Sequence, residues 1–357
     1  MKLRKIWKIF IVLILLGAVA IVGMISFYNY NLQPVDKKDK TDVVFTIESG
    51  TSTKQIAKNL MDSKLIRDDN IFLVYLKINK INNLQASTYK LKRNMTVREM
   101  IEIISEGRGY NPEEISLTFK EGSNIRNIAK VIDENTDNTY EEVLKKVNDN
   151  SYLDSLIEKY WFLDKTIKNN DLYYSLEGYL FPNTYIFESK KVSTEEIFSK
   201  MLEETDKILT KHKKSIENSE FNIHEILTLA SIVEKEGKIK DFNNIASVFM
   251  NRLDKNMVLG SCATAYYGKK IDFNEVGIAT NEMINDKNGY NTYIMRGLSV
   301  GPIASISENS LLSVLNPVDT NYLYFLSDNE GNTYFFKNYA EHQKKENELK
   351  QAGKWVR

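Results

Sequence analysis

The most constraining feature of this chain is its first thirty residues. MKLRKIWK carries four cations, and no further charge follows until Asp36. Between them IFIVLILLGAVAIVGMISF, Ile9 to Phe27, is apolar almost throughout. About 20 such residues suffice to cross a bilayer as a helix. Basic residues stay on the cytoplasmic side, so everything after Tyr30 is expected outside the cell membrane, which the chain crosses once. Ala18-Val19-Ala20 resembles a signal-peptide processing site, but the apolar run continues well past it, which a cleaved peptide does not require. An uncleaved anchor over residues 9–28, after a cytoplasmic tail of residues 1–8, is the expectation.

The remainder is long enough for two or three domains within 357 residues. Lys+Arg and Asp+Glu are both 48, so no global field recruits nucleic acid or anionic lipid. One cysteine, Cys262, excludes an intrachain disulfide. His212, His224 and His342 show no metal-ligand spacing, and HEILT at His224 has Thr228 where a zinc helix needs its second histidine. No glycine-rich phosphate loop, dinucleotide fingerprint or G-x-S-x-G elbow occurs. Neither a metal nor a cofactor is expected.

Residues 29–42 are polar, with a proline and no apolar period, and read as a linker. VVFTIESG then alternates as a strand, and TSTKQIAKNLMDSKLI has a hydroxyl cap and helical spacing at Ile56, Leu60 and Leu65. IFLVYLKI reads as a second helix, and STYKLKRNMTVREMIEIISEG as a strand followed by a helix capped by Thr96 with Glu99. These make a small module over residues 43–110. FTIESGTSTKQIAKNL (Phe45 to Leu60) is echoed by LTFKEGSNIRNIAKVI (Leu117 to Ile132), strand, glycine turn and capped helix in register. That second unit and its connecting helices occupy residues 111–170. From residue 171 to 357 mixed strand and helix signals without a βαβ rhythm point to an α+β domain.

Within it, LASIVEKEG (Leu229 to Gly237) is an apolar helix ending in two glutamates. On a wheel at 100° per residue, Ile226, Leu229, Ala230 and Val233 form the apolar face. Glu236 lies at one margin, Glu234 near the other, about 160° away, and Lys235 points to the back. The pair therefore cannot form a glycosidase dyad facing one bond. A lone glutamate on an apolar margin can be kept protonated by desolvation and serve as a general acid. A surface ion pair at the helix end is the alternative that the helix alone leaves open.

The series TYKLKRNMTVREMIEIISEG, LEGYLFPNTYIF, LASIVEKEG, ASVFMNRL, YNTYIMRGLSVGPIASIS and NYLYFLSDNEGNTYFF resembles the endolytic murein transglycosylases of the MltG (YceG-like) family. The resemblance runs in order from the apolar helix to the C-terminus. It implies one N-terminal anchor, a LysM-like module and a C-terminal catalytic domain facing the cell wall. It also implies cleavage between N-acetylmuramic acid and N-acetylglucosamine in nascent peptidoglycan strands, leaving a 1,6-anhydromuramyl end. Carried over, the catalytic residue is Glu236, with Glu234 the runner-up. Glu177, Asn251, Tyr290, Asn291 and Thr292 are candidate cleft residues, while Gly297, Gly301 and Pro302 shape a loop. Glycan polymerases and elongation or division proteins are the implied partners. Three departures stand out. LGSCAT puts Cys262 and Ala263 in place of aspartate and proline, Asn183 replaces an aspartate, and Thr333 replaces a histidine. They support the alternative of a catalytically weak peptidoglycan-binding scaffold.

Overall fold

The computed structural model describes residues 2–272 and 280–355. The chain forms two compact units, Met1–Pro112 and Glu113–Arg357.

The first unit begins with α1 (Lys2–Asn31), whose apolar side chains from Phe10 to Phe27 lie exposed. Next come β1 (Asp42–Ile47), α2 (Thr53–Asp62), α3 (Asp69–Ile78), β2 (Ser87–Lys92) and α4 (Val97–Ser105). β1 and β2 pair antiparallel, with Phe45 opposite Tyr89. Strand alternation and helix periodicity converge on one core that includes Phe45, Ile56, Leu60, Phe72, Tyr89, Met100 and Ile104. The Thr96–Glu99 capping box forms as expected, satisfying two backbone donors that would otherwise lack partners. Residues 32–36, within the expected linker, are strapped to this core. Val97 N–H donates to Leu32 C=O, Arg67 donates to Pro34 and Val35 C=O, and Asp36 N–H donates to Arg93 C=O. Polar composition gave no hint of this, because the partners are backbone carbonyls.

The second unit contains β3 (Ile115–Thr118), α5 (Ile125–Asn135), α6 (Tyr140–Val147), α7 (Asn150–Lys159), β4 (Thr184–Phe187), α8 (Thr194–Lys211), α9 (Lys213–Glu217), α10 (Ile223–Glu236), α11 (Phe242–Asp254), α12 (Cys262–Gly268), α13 (Asn281–Ile284), α14 (Glu308–Leu315), β5 (Tyr324–Ser327), β6 (Thr333–Phe336) and α15 (Tyr339–Gln351). The echo is real in backbone terms. Both copies are strand, turn and helix, with Gly50 at φ +82° and Gly122 at φ +70°, where a side chain would be strained, and with Ser52 and Asn124 as N-caps. Their partners differ. β3 pairs with β4 from the LEGYLFPNTYIF segment, Leu117 opposite Tyr185. Residues 113–170 share one core with the rest of the unit, from Leu117 to Val314. Strand content is small, so the α+β unit is mainly helical around short two-stranded sheets.

At its centre lies α10. Every residue from Ile226 to Val233 is buried, including Thr228 and Ser231. A helix apolar on one face would be a surface helix; one buried all round must be the core of its domain. The polar exceptions are satisfied. Thr228 Oγ1 donates to His224 C=O (2.7 Å), and Ser231 Oγ donates to Thr228 C=O (2.7 Å) while accepting Ile303 N–H (3.0 Å). Neighbours α11, α12 and α14 pack on it, which places the last turn of α10 among loops instead of in solvent.

Candidate active site

α10 stops at Gly237, which is extended (φ −153°, ψ −170°) and tightly enclosed: a Cβ there would lie 2.2 Å from Ile245 Cδ1. That close approach folds the chain back into α11 immediately after the two glutamates. The side chains then separate. Glu234 Oε2 accepts Ser307 N–H (2.9 Å) and Ser307 Oγ–H (2.6 Å), at the start of α14. It is a clamp between two helices. Lys235, expected to point away, instead lines a cavity and donates from Nζ to Gly122 C=O (3.1 Å). The wheel misplaced it because α10 has no solvent side: the 122 turn covers what would have been the back.

Glu236 is half-buried. Its Oε1 accepts the Ser261 hydroxyl, and the Ala263 amide also hydrogen-bonds the carboxylate. Burial pushes its pKa above the ordinary glutamate value, against the Ser261 and Ala263 hydrogen bonds and the nearby Arg252 charge, which all favour the ionised form. A carboxyl so balanced holds a proton longer than a surface glutamate, as a general acid must.

Ser261 is itself held from the YNTY loop. Gly260, at φ +59°, donates its N–H to Thr292 C=O (2.9 Å), and Ser261 N–H donates to Thr292 Oγ1 (3.1 Å). Thr264 Oγ1 donates to Ser261 C=O (2.7 Å) and lies 2.8 Å from Thr292 Oγ1. Next to these, Cys262 Sγ lies 3.0 Å from Tyr293 Oη, and burial pushes both groups upward in pKa. Arg252 is anchored on Leu259 and Leu323 C=O (2.5 and 2.7 Å).

Beside this cluster is a cavity of about 240 Å³ lined by Asn124, Asn127, Lys235, Ala263, Tyr266 and Asp272 among others. Ala263 links the two, since its amide reaches Glu236 while the residue lines the cavity. Asp272 neutralises the basic wall. It pairs with Arg126 (2.8 Å) and Lys130 (3.5 Å) and accepts Asn124 and Asn127 side-chain N–H (3.0 and 3.2 Å).

The other candidate cleft residues have different settings. Glu177 is fully buried behind Tyr267, a cavity wall residue. Ile125 N–H donates to both its oxygens (3.1 Å each) and Tyr267 Oη–H to one (2.7 Å), tying the start of α5 to the 177 turn. Burial raises its pKa to about 7 despite those bonds. Tyr290 is fully buried and accepts Tyr173 N–H at Oη (3.1 Å). Asn291, equally buried, donates to Met283, Ile284 and Asp286 C=O and accepts Tyr293 N–H. Thr292 is the buried support of Ser261 already described. Asn251 Nδ2 donates to Thr320 and Tyr322 C=O (2.9 and 3.0 Å). Of these, Thr292 supports Ser261, and the others tie neighbouring segments of the second unit together. Pro302, also buried, packs against the Gly178 turn, where φ is +79° and a Cβ would meet Pro302 Cβ at 2.3 Å. Of the departures, Asn183 is exposed and accepts Thr184 N–H (2.8 Å), and Thr333 Oγ1 donates to Asp241 (2.9 Å).

Sequence reasoning missed Ser261, Arg252, Tyr293 and Tyr266 as surroundings of Glu236. Tyr293 closes the YNTY motif and Arg252 sits in NRL, so both lay within motifs already singled out. Ser261 carried no signal of its own.

The YceG-like family model matches residues 45–348. An endolytic murein transglycosylase of Bacillus subtilis (strain 168) is 33% identical over 328 residues, 91% of this chain and 89% of that one. One from Streptococcus pneumoniae serotype 2 is 31% identical over 334 residues, of which this chain spans only 60% of the relative's length. A crystal structure of a yceG-like protein from Listeria monocytogenes, 33% identical, superposes with a TM-score of 0.61 over 85% of this chain and 99% of the other. With the match running from β1 into α15, the chain belongs to the YceG-like family.

Proposed function

We propose that the protein is a lytic transglycosylase that cuts peptidoglycan strands internally between N-acetylmuramic acid and N-acetylglucosamine. The observation that carries this is Glu236, a half-buried carboxyl with a raised pKa, fixed by Ser261 and Ala263 beside a polar cavity. The names of the relatives supply the substrate class. Glu236 gives its proton to the leaving glycosidic oxygen. It then takes the proton of the muramyl C6 hydroxyl as that oxygen closes on the anomeric carbon, so no water is consumed and one acid/base residue serves both steps. Glu177, Asn251, Tyr290, Asn291 and Thr292 act on the glycan from behind, by holding the cleft walls. Glu234 stays outside the chemistry as a clamp on α14.

The apolar span Phe10–Asn31, of mean hydropathy 2.9, anchors the protein in the cell membrane with the basic tail inside. The two strands and two intervening helices of residues 43–92 support a LysM-like reading of the small module. Partners are glycan polymerases and the elongation or division proteins around them.

Uncrosslinked glycan strands incubated with the protein are expected to yield fragments one water lighter than hydrolysis products by mass spectrometry. Glu236→Gln is expected to slow their release about 10²–10⁴-fold, the usual worth of a general acid. Hydrated ends would exclude the cyclisation step, and strand binding without product at any concentration would favour a scaffold.

A further inference from the structure

The end of α1 is built into the small module, and this has consequences for where the module sits. The inference rests on α1 being the membrane-spanning segment. Its apolar span of 22 residues, Phe10–Asn31, is about 33 Å long, close to the ~30 Å of a bilayer's hydrocarbon. Tyr28 and Tyr30 then fall at the outer boundary, the level that tyrosines favour.

Tyr30 meets the segment that leads into α3. The Arg67 guanidinium lies 4.6 Å from the Tyr30 ring centroid and donates to Tyr30 Oη (3.1 Å) and to Pro34 and Val35 C=O (2.6 and 2.9 Å). Arg67 directly precedes Asp68, the N-cap of α3, so α3 starts beside the outer end of α1. Phe72 and Leu76 point into the module core. Val74 and Ile78 each lie about 200° round the wheel from one of them. They are exposed, at 42% and 64%, one turn apart, with exposed Lys77 and Lys80 alongside.

We infer that α3 rests on the outer surface of the bilayer, with Val74 and Ile78 at the hydrocarbon boundary and Lys77 and Lys80 among lipid phosphates. An apolar pair flanked by lysines is the pattern of an interfacial helix. The module therefore lies flat on the membrane at a fixed height and does not swing on a tether.

The test uses the full chain with Cys262→Ser in nanodiscs of phosphatidylethanolamine and phosphatidylglycerol. Single cysteines at Leu15, Val74 or Ile78 carry a bimane label, and quenching by shallow nitroxide lipids is read. Quenching at all three, with a blue-shifted emission at positions 74 and 78 relative to the denatured chain, is the expected result. Quenching at Leu15 alone overturns the docking and leaves the anchor intact. No quenching at Leu15 removes the anchor and the docking together. Val74 and Ile78 are surface positions, so labelling there spares the core, and an unchanged circular-dichroism melt verifies this.

Discussion

Ser261→Ala should move the pH dependence of the reaction in one direction. Glu236 must be protonated to donate, so the rate falls as pH rises through its pKa. Burial raises that pKa, and the Ser261 and Ala263 hydrogen bonds pull it back by stabilising the carboxylate. A hydrogen bond to a charged group contributes about 1.5–3 kcal/mol. At 1.36 kcal/mol per pKa unit, losing the Ser261 hydroxyl lifts Glu236 by about 1–2 units. The alkaline limb of kcat/KM therefore moves up by that amount, and at pH values above the wild-type limb the variant holds more of its acid form. The assay is release of fragments from uncrosslinked strands between about pH 5 and 9, quantified by chromatography. A limb that stays in place or moves down would refute the claim that the pair sets the proton affinity of the acid. Ser261 acts here by positioning and tuning, so a simple uniform loss of rate would equally count against it.

Glu177 offers a separate test through stability. Its pKa rises from the 4.5 of an ordinary glutamate to about 7, chiefly by burial. A raised carboxyl pKa means that its stabilising contribution is fully present below about pH 4.5 and is lost as pH climbs through 7, a change of about 3 kcal/mol. Glu177→Gln is expected to abolish that part of the pH slope in denaturant unfolding between pH 5 and 9; an unaltered slope would show the carboxyl to be ionised throughout. Glu234→Gln is expected to leave turnover nearly unchanged and to lower stability by about 1–2 kcal/mol, because the two Ser307 hydrogen bonds then end on a neutral amide oxygen instead of a carboxylate. A collapse of turnover in soluble, folded Glu234→Gln would transfer the acid role to it.

The linear chain was enough to settle matters that depend on neighbours a few residues apart. The uninterrupted apolar run required a long helix with an outward apolar surface. Alternation over Val43–Ile47 and the Thr96–Glu99 box fixed a strand and a helix start, and the glycines at 50 and 122 marked turns that need positive φ. The divergence of Glu234 and Glu236 also followed from 100° per residue. What the wheel could not supply was the far side of each contact. The wheel turns Lys235 to the back of α10, and nothing local reveals that the 122 turn covers the helix there. The resemblance marks Tyr290, Asn291 and Thr292 as cleft residues, yet only the fold shows their polar atoms bonded inward. Ser261, twenty-five residues from Glu236, becomes its partner through the reversal at Gly237 and the grip of Thr292. Hydrophobic period and capping are short-range and so are written in the sequence. The proton affinity of Glu236 depends on burial and on donors brought from distant segments, and only tertiary packing decides those.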